Sequence, residues 1–224
     1  DIASGFIIMD YLEGGQDGDK LTSQIQDPRL PDATRLAYVY QMILAAENAT
    51  KAKFVLADLK PANSIVMPDG TVRIIDPGLA NRRGRKVTNP GATPAFSAPE
   101  QAANIGLPSE KSDVYTMGAI LYQMVSSSRK IPLLERSKLN GVPIHNGIQT
   151  LLAAVRIRNI DKPFDEIIDL NIPADSKPEL NALLKEMLSS KPEDRPTMEE
   201  ARQRLYTILG GRLQEGQYYL GEIA

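Results

Sequence analysis

The residues of this sequence whose types and spacing are best suited to chemistry lie in the short segment Leu56–Asn63. Asp58, Lys60 and Asn63 are spaced too closely and too irregularly to share one face of a helix, and Pro61 fixes a backbone angle between them. The segment is therefore predicted to form a rigid loop in which an acid, a cation and an amide converge on one point.

A β-hairpin is predicted directly after this loop. Residues 64–67 and 71–75 are rich in β-branched side chains and flank Pro68–Gly70, a strong turn signal. Folding about this turn is expected to place Asn63 opposite Asp76. A carboxylate and an amide oxygen at a strand end, beside a further Asp and a Lys, are hard ligands suited to Mg²⁺ carrying a phosphate. For either half taken alone, an ordinary turn rich in Asp and Asn is the alternative.

The two halves together resemble the catalytic loop and the metal-binding segment of eukaryotic-type protein kinases. This resemblance implies that Asp58 accepts or orients the proton of the substrate hydroxyl and that Lys60 neutralises the transferred phosphoryl group. It also implies that Asn63 and Asp76 hold magnesium. ATP and Mg²⁺ are therefore the expected cofactors, and a protein is the expected substrate.

The beginning of the chain resembles the fifth strand and the hinge of a kinase. Phe6–Met9 is a short apolar run, after which paired glycines turn the chain outward. By this resemblance Met9 is the gatekeeper, and the carbonyl of Asp10 and the amide of Leu12 hydrogen-bond adenine. Ile65 of the hairpin is included in the same nucleotide-binding set. A core strand that ends in a glycine-rich turn is the alternative for the first segment taken alone.

The run Ala92–Glu100 resembles the end of a kinase activation segment. By this match Thr93 corresponds to the threonine that serine/threonine kinases hydrogen-bond to the catalytic Asp and Lys, which favours a serine or threonine acceptor. Glu100 is expected to be buried, and a buried carboxylate needs a cationic partner. The family places that partner at the position of Arg195.

A basic cluster follows the metal-binding segment; it comprises Arg82, Arg83, Arg85 and Lys86. Such a cluster in a loop is usually a solvated surface, but beside a phosphoryl-transfer site it could also recruit an acidic substrate or partner. The net charge of −2 argues against a dedicated nucleic-acid binder. No apolar run approaches the ~20 residues that are needed to cross a bilayer.

Two long helices are predicted, and the kinase resemblance implies that the first of them supports the catalytic loop. Asp32–Lys51 has apolar residues at the spacing of an amphipathic helix, and Asp32 is a plausible cap. Ser112 opens a second helix, in which Gly118 would allow another backbone to approach closely. The resemblance implies that Asp113 hydrogen-bonds backbone groups of the catalytic loop.

Two further helices are predicted near the end of the chain. Ser176 and Glu179 have the spacing of a capping box, and Thr197 and Glu200 repeat it before the last helix. The pair Gly210-Gly211 is expected to end that helix.

With 224 residues, of which 42% are apolar, the chain can bury a sizeable core. We expect an α+β, protein-kinase-like fold: a mostly helical large C-terminal lobe with a short catalytic β-hairpin, and a small N-terminal lobe largely absent from this chain. The expected division is 1–15 for the last strand of the small lobe and the hinge, 16–209 for the large lobe and 210–224 for an unassigned tail. The absence of cysteine fits a reducing compartment, and a cytoplasmic location is expected.

Three features depart from the kinase pattern. There is no room before Phe6 for a glycine-rich loop, a strand lysine or its helix glutamate, so a small lobe is expected from the same or another chain. Leu56-Ala57 stands where the family has His-Arg, which argues against activation by phosphorylation of the activation segment. Pro77 replaces the phenylalanine after Asp76, which argues against switching by movement of that side chain.

These observations favour a Mg²⁺- and ATP-dependent serine/threonine protein kinase. The divergent loops also resemble kinases that bacterial pathogens deliver into host cells, such as the Yersinia effector kinase, and that match would imply the host cytoplasm. An inactive pseudokinase or scaffold that binds a partner protein is the alternative. A transferase that acts on a small alcohol is a third hypothesis, although Thr93-Pro94 and Ala98–Glu100 indicate a peptide-binding platform.

Overall fold

The computed structural model describes residues 20–75, 80–82, 96–102, 108–126 and 174–210. The helices of these ranges are α1 (Leu21–Gln26), α2 (Asp32–Lys51), α3 (Pro99–Ala102), α4 (Glu110–Val125), α5 (Ser176–Met187) and α6 (Met198–Ile208). The strands are β1 (Phe54–Val55), β2 (Ser64–Val66), β3 (Val72–Ile74) and β4 (Asn81–Arg82). Short 3₁₀ turns lie at Pro61–Asn63 and Pro192–Asp194. The arrangement is mostly helical with small antiparallel strand pairs, so the expected α+β class is confirmed.

Helix α2 lies at the centre of the described core and packs against α4 and α6. Its predicted range is confirmed, but Pro31 occupies the N-cap position and Asp32 is the first helical residue, so the predicted cap is wrong. Every residue from Arg35 to Ile43 is buried. The expected single apolar face is therefore replaced by burial on all sides, because the chain covers this helix from several directions.

Polar contacts hold both ends of α2, beginning with its C-terminal end. Glu47 is buried and ion-pairs with Lys51, one turn away, at 2.6 Å, and with Arg202 of α6. Arg202 also donates to the hydroxyl of Tyr40 at 3.2 Å. At the other end of α2, the buried Arg35 donates to the carbonyl of Ile25 at 2.9 Å and closes the end of α1. These contacts join α2 to helices that precede and follow it in sequence.

Helix α4 begins at Glu110, two residues before the predicted start, after the N-cap Ser109. Gly118 allows close packing, as expected: a Cβ atom placed on it would lie 2.8 Å from the Cβ of Met187 in α5. A larger residue would therefore push α4 and α5 apart.

The two predicted capping boxes have different outcomes. Ser176 lies inside α5, whose N-cap is Asp175, and Glu179 instead pairs with Arg204 of α6 at 2.6 Å, so this box is wrong. The second box is confirmed, since the amide of Thr197 donates to Glu200 at 2.7 Å and the amide of Glu200 donates to Thr197 Oγ1 at 3.1 Å. Helix α6 ends before Gly210, which has a φ of 68°, as the paired glycines predicted.

Strands β2 and β3 form the predicted hairpin, with Ser64 opposite Ile74 and Val66 opposite Val72. The turn Pro68–Gly70 has three residues, and Gly70 adopts a φ of 83° that suits glycine. This register places Asn63 opposite Ile75, whose amide donates to the carbonyl of Asn63 at 2.9 Å. The prediction that Asn63 faces Asp76 is therefore wrong by one residue, since the predicted three-residue turn itself pairs Asn63 with Ile75.

Two features of the fold were not predicted. Helix α1 contacts the Pro61–Asn63 turn and β2, and Lys20, directly before it, forms an antiparallel bridge with Ile65. The second feature is the pairing of β1 with β4, in which Phe54 lies opposite Arg82. No helix of the described ranges is long and apolar enough to cross a membrane.

Candidate active site

A buried carboxylate of α4 holds the start of the catalytic loop. Asp113 is 2% exposed; its Oδ2 accepts the amide of Leu56 at 2.8 Å and its Oδ1 accepts the amide of Ala57 at 2.9 Å. The expected role of Asp113 is confirmed. Burial raises the pKa of Asp113 to about 7, although the two backbone hydrogen bonds act in the opposite direction.

The loop is strained where Asp113 holds it. Ala57 has a φ of 62°, a left-handed conformation that costs a non-glycine residue about 1–2 kcal/mol. The residue that follows is Asp58. The geometry of the acid therefore depends on a backbone conformation that Asp113 stabilises, and the sequence contains no signal for it because alanine has no preference for this region.

The structure brings together the three polar residues of the loop. Lys60 Nζ lies 2.7 Å from Asp58 Oδ2, and Asn63 Nδ2 lies 3.3 Å from the same oxygen and 3.3 Å from the carbonyl of Asp58. Asn63 ends the 3₁₀ turn Pro61–Asn63, in which its backbone N–H donates to the carbonyl of Lys60 at 3.0 Å. Asp58 is therefore an acceptor beside a cation, in a largely buried position.

Asn63 also fits the role of a metal ligand. Its Nδ2 is directed to Asp58, so Oδ1 of the same amide is the atom that can bind a hard cation. Asp76, the second expected ligand, lies outside the described residues, directly after Ile75. The described residues contain no group of three or more His, Cys, Asp or Glu placed to hold a metal. Mg²⁺ commonly uses only one or two protein ligands together with water and substrate phosphates, so this sparse set fits it.

Ile65 is the one member of the predicted nucleotide-binding set that the described residues include. It is partly buried on β2 and pairs with Arg73 of β3. Ile65 lies two residues after Asn63, which ends the 3₁₀ turn that leads directly into β2. An apolar side chain next to the amide ligand suits a flat base placed beside its phosphates.

The other predicted site residues lie outside the described residues. They are Met9, Asp10, Leu12, Asp76, Thr93, Arg83, Arg85 and Lys86. Of Arg82 only the backbone is described, in β4. Their expected roles, including recruitment of an acidic partner by the basic cluster, stay predictions.

An ion pair joins α3 to the segment before α6; Glu100, which was expected to be buried, is only partly buried, with 16% of its side chain exposed. Arg195 is fully buried and donates to Glu100 through two nitrogens, at 2.7 and 2.9 Å, and Ser112 donates to the same carboxylate at 2.9 Å. The ring of Tyr115 lies 5.0 Å from the guanidinium carbon. Burial alone would raise the pKa of Glu100, but the hydrogen bonds and charge of Arg195 hold it below its ordinary value. The predicted pairing of Glu100 with Arg195 is confirmed.

Comparison with known proteins decides the family. The model of the protein kinase domain family matches residues 3–207. The chain belongs to the protein kinase domain family. This kinase domain is 28% identical over 199 residues to mitogen-activated protein kinase pmk-1 of Caenorhabditis elegans, covering 84% of the chain and 52% of that protein.

Two further relatives are serine/threonine or motility kinases by name. Sperm motility kinase 3A of Mus musculus is 31% identical over 165 residues, covering 72% of the chain and 28% of that protein. CBL-interacting serine/threonine-protein kinase 10 of Arabidopsis thaliana is 23% identical over 205 residues, covering 88% of the chain and 37% of that protein. The chain thus spans about half or less of the length of these curated relatives. The narrower resemblance to bacterial effector kinases stays a prediction.

Proposed function

We propose that this chain is the C-terminal lobe of a serine/threonine protein kinase that transfers the γ-phosphate of ATP to a protein hydroxyl. The observation that carries the proposal is the meeting of Lys60 Nζ and Asn63 Nδ2 at Asp58 Oδ2, at 2.7 and 3.3 Å. An oxygen that can take a proton thereby lies beside a cation that can meet a phosphoryl group. The named serine/threonine kinases among the relatives support the same acceptor class.

In the proposed reaction the oxygen of a serine or threonine hydroxyl attacks the γ-phosphorus of ATP. A new P–O bond forms, the bond to the bridging oxygen of the departing ADP breaks, and the hydroxyl proton passes to Asp58. Lys60 offsets the negative charge that spreads over the oxygens of the transferred group. Asn63 orients Asp58 through Nδ2.

Mg²⁺ would be held by Oδ1 of Asn63 and by Asp76, and when bound it neutralises phosphate charge. Ile65 supports this assignment, because it provides a partly buried apolar side chain for the base two residues after Asn63. The division into residues 1–15, 16–209 and 210–224 and the cytoplasmic location form part of the proposal.

A scaffold that binds a partner without chemistry is the second candidate. It is favoured by Leu56-Ala57 in place of His-Arg. Against it stand the buried Asp113 and the left-handed Ala57, which together keep Asp58 in place at a cost in stability. A scaffold has no need for that arrangement.

Phosphate transfer from γ-labelled ATP by the longest native form of the chain tests the proposal. Asp58→Asn and Asp76→Ala should abolish incorporation into serine and threonine while the protein stays folded, because each removes a charge that the transition state requires. Asp69→Asn is the matched control, since Asp69 is a carboxylate of the hairpin turn that contacts Thr71 and no residue of the loop. Equal incorporation by the wild type and Asp58→Asn would reject the kinase and favour the scaffold.

A further inference from the structure

Gln41 joins the central helix α2 to the hairpin of β2 and β3. It lies in the middle of α2 and is 6% exposed. Its Nε2 donates to the carbonyl of Gly70 at 3.2 Å, and its Oε1 accepts the amide of Val72 at 2.7 Å. The sequence signal for this role is a single uncharged polar residue inside the apolar run Tyr38–Ile43.

The side-chain amide of Gln41 replaces a neighbouring strand at the edge of β3. Thr71, between the two contacted residues, is satisfied within the turn, since Asp69 Oδ1 accepts its amide at 2.9 Å and its hydroxyl at 2.7 Å. The remaining backbone groups on either side of Thr71 therefore bond to Gln41.

The same helix also indirectly supports the catalytic loop. Helix α2 packs against α4, and Asp113 of α4 holds the amides of Leu56 and Ala57. The catalytic loop is thus held by α4 and the hairpin by α2, and these two helices pack against each other. The Asn63–Ile75 end of the hairpin lies about 10 Å along the strands from Val72, so a tilt at the turn moves that end relative to Asp58.

We propose that Gln41 is a positioning residue that sets the place of the metal-binding end of the hairpin, where Asn63 pairs with Ile75. This inference rests on the proposed kinase function. It assigns to Gln41 no contact with substrate or metal. A merely structural role would lower stability and leave the Mg²⁺ dependence of the folded enzyme unchanged.

The test compares Gln41→Met, which keeps the side-chain volume and loses both hydrogen bonds, with the wild type. The Mg²⁺ concentration that gives half-maximal phosphate transfer should rise about tenfold, the lower end of the effect of removing outer partners of metal ligands. The KM for the protein substrate should stay unchanged. Gln41→Glu keeps the acceptor for the Val72 amide and should give a smaller shift.

Arg204→Met is the control variant. It removes the ion pairs of Arg204 with Glu179 and Glu186 between α5 and α6, away from the loop and the hairpin. It should lower the melting temperature without changing the Mg²⁺ dependence. An unchanged half-saturating Mg²⁺ concentration in Gln41→Met, or an equal shift in Arg204→Met, would overturn the inference.

Amide hydrogen exchange separates this inference from the proposed function. In Gln41→Met, exchange at Val72 and also at Ile75 should become faster, because the far end of the hairpin is no longer held in place. If the wild type transfers no phosphate, the proposed function fails. The exchange rate of the Ile75 amide in Gln41→Met then tests the role of Gln41 independently of phosphate transfer. Unchanged exchange at Ile75 would reject the positioning role.

Discussion

Replacing Ala57 by glycine, with and without Asp113, tests whether Asp113 holds the catalytic loop in a strained conformation. Ala57 has a φ of 62°, and the carboxylate of Asp113 accepts its amide and that of Leu56. Glycine adopts this conformation without the steric cost, so the strain can be removed separately from the hydrogen bonds. The two perturbations form a double-mutant cycle.

The magnitude follows from the contacts. Asp113→Ala leaves two amides without their acceptor, at about 1–3 kcal/mol each. Without the carboxylate Ala57 is free to leave the left-handed region, which returns about 1–2 kcal/mol. The expected net loss in the free energy of unfolding is therefore about 0–5 kcal/mol.

In the Ala57→Gly background there is no strain to release. Asp113→Ala should therefore cost about 1–2 kcal/mol more than in the wild type. Ala57→Gly alone should change stability by less than about 1 kcal/mol, since the relief of strain is offset by the greater freedom of the unfolded chain.

Urea denaturation of the four proteins measures the cycle. Phosphate transfer, assayed where all four are folded, should fall with Asp113→Ala because Asp58 directly follows Ala57. Stability effects that add to within about 0.5 kcal/mol would refute the reasoning, since they would mean that Asp113 does not determine the conformation of Ala57.

Three further predictions concern the supporting structure. Glu100→Gln should lower the free energy of unfolding by about 3–5 kcal/mol in urea denaturation, because it leaves the buried Arg195 without its carboxylate; a loss below about 1 kcal/mol would show that the pair is not effectively buried. Gly118→Ala should cost about 1–3 kcal/mol and lower the melting temperature, because the added Cβ would lie 2.8 Å from that of Met187; an unchanged melting temperature would contradict this packing. Since the pKa of Asp113 is raised to about 7, its contribution to stability should be complete below about pH 4 and decline as the pH rises from 4 to 7. The difference between wild type and Asp113→Asn should follow this decline in a pH series, and a pH-independent difference would contradict it.

Local signals predicted much of the fold. The range of α2, the turn at Pro68–Gly70 and the capping box of Thr197 each depend on residues that are close in sequence, and the structure contains all of them. The pairing of Glu100 with Arg195 is a contact between distant residues, and only the family resemblance pointed to it.

The errors have physical causes. Helix α1 has six residues, of which Leu21 and Ile25 are buried, which is too short for a periodic signal. Strands β1 and β4 have two residues each and depend on pairing between distant segments. The register error at Asn63 has no such cause, since the three-residue turn that was predicted already pairs Asn63 with Ile75.

Within the site, sequence spacing predicted that Asp58, Lys60 and Asn63 meet, because Pro61 and a short loop leave few other arrangements. The supporting contacts of Gln41 and the conformation of Ala57 were not predicted. Both depend on tertiary packing that neither residue type indicates by itself.

The ion pair between Glu100 and Arg195 has a consequence for how the protein responds to its surroundings. It joins residues 95 positions apart, in a chain without cysteine, and so closes a long loop as a disulfide would. Unlike a disulfide, this ion pair is not broken by reducing agents. Because Glu100 has a lowered pKa, its stabilisation is present above the pKa of the unfolded state and is lost as the pH falls through the folded value. Low pH, rather than a reducing agent, therefore breaks the ion pair between Glu100 and Arg195.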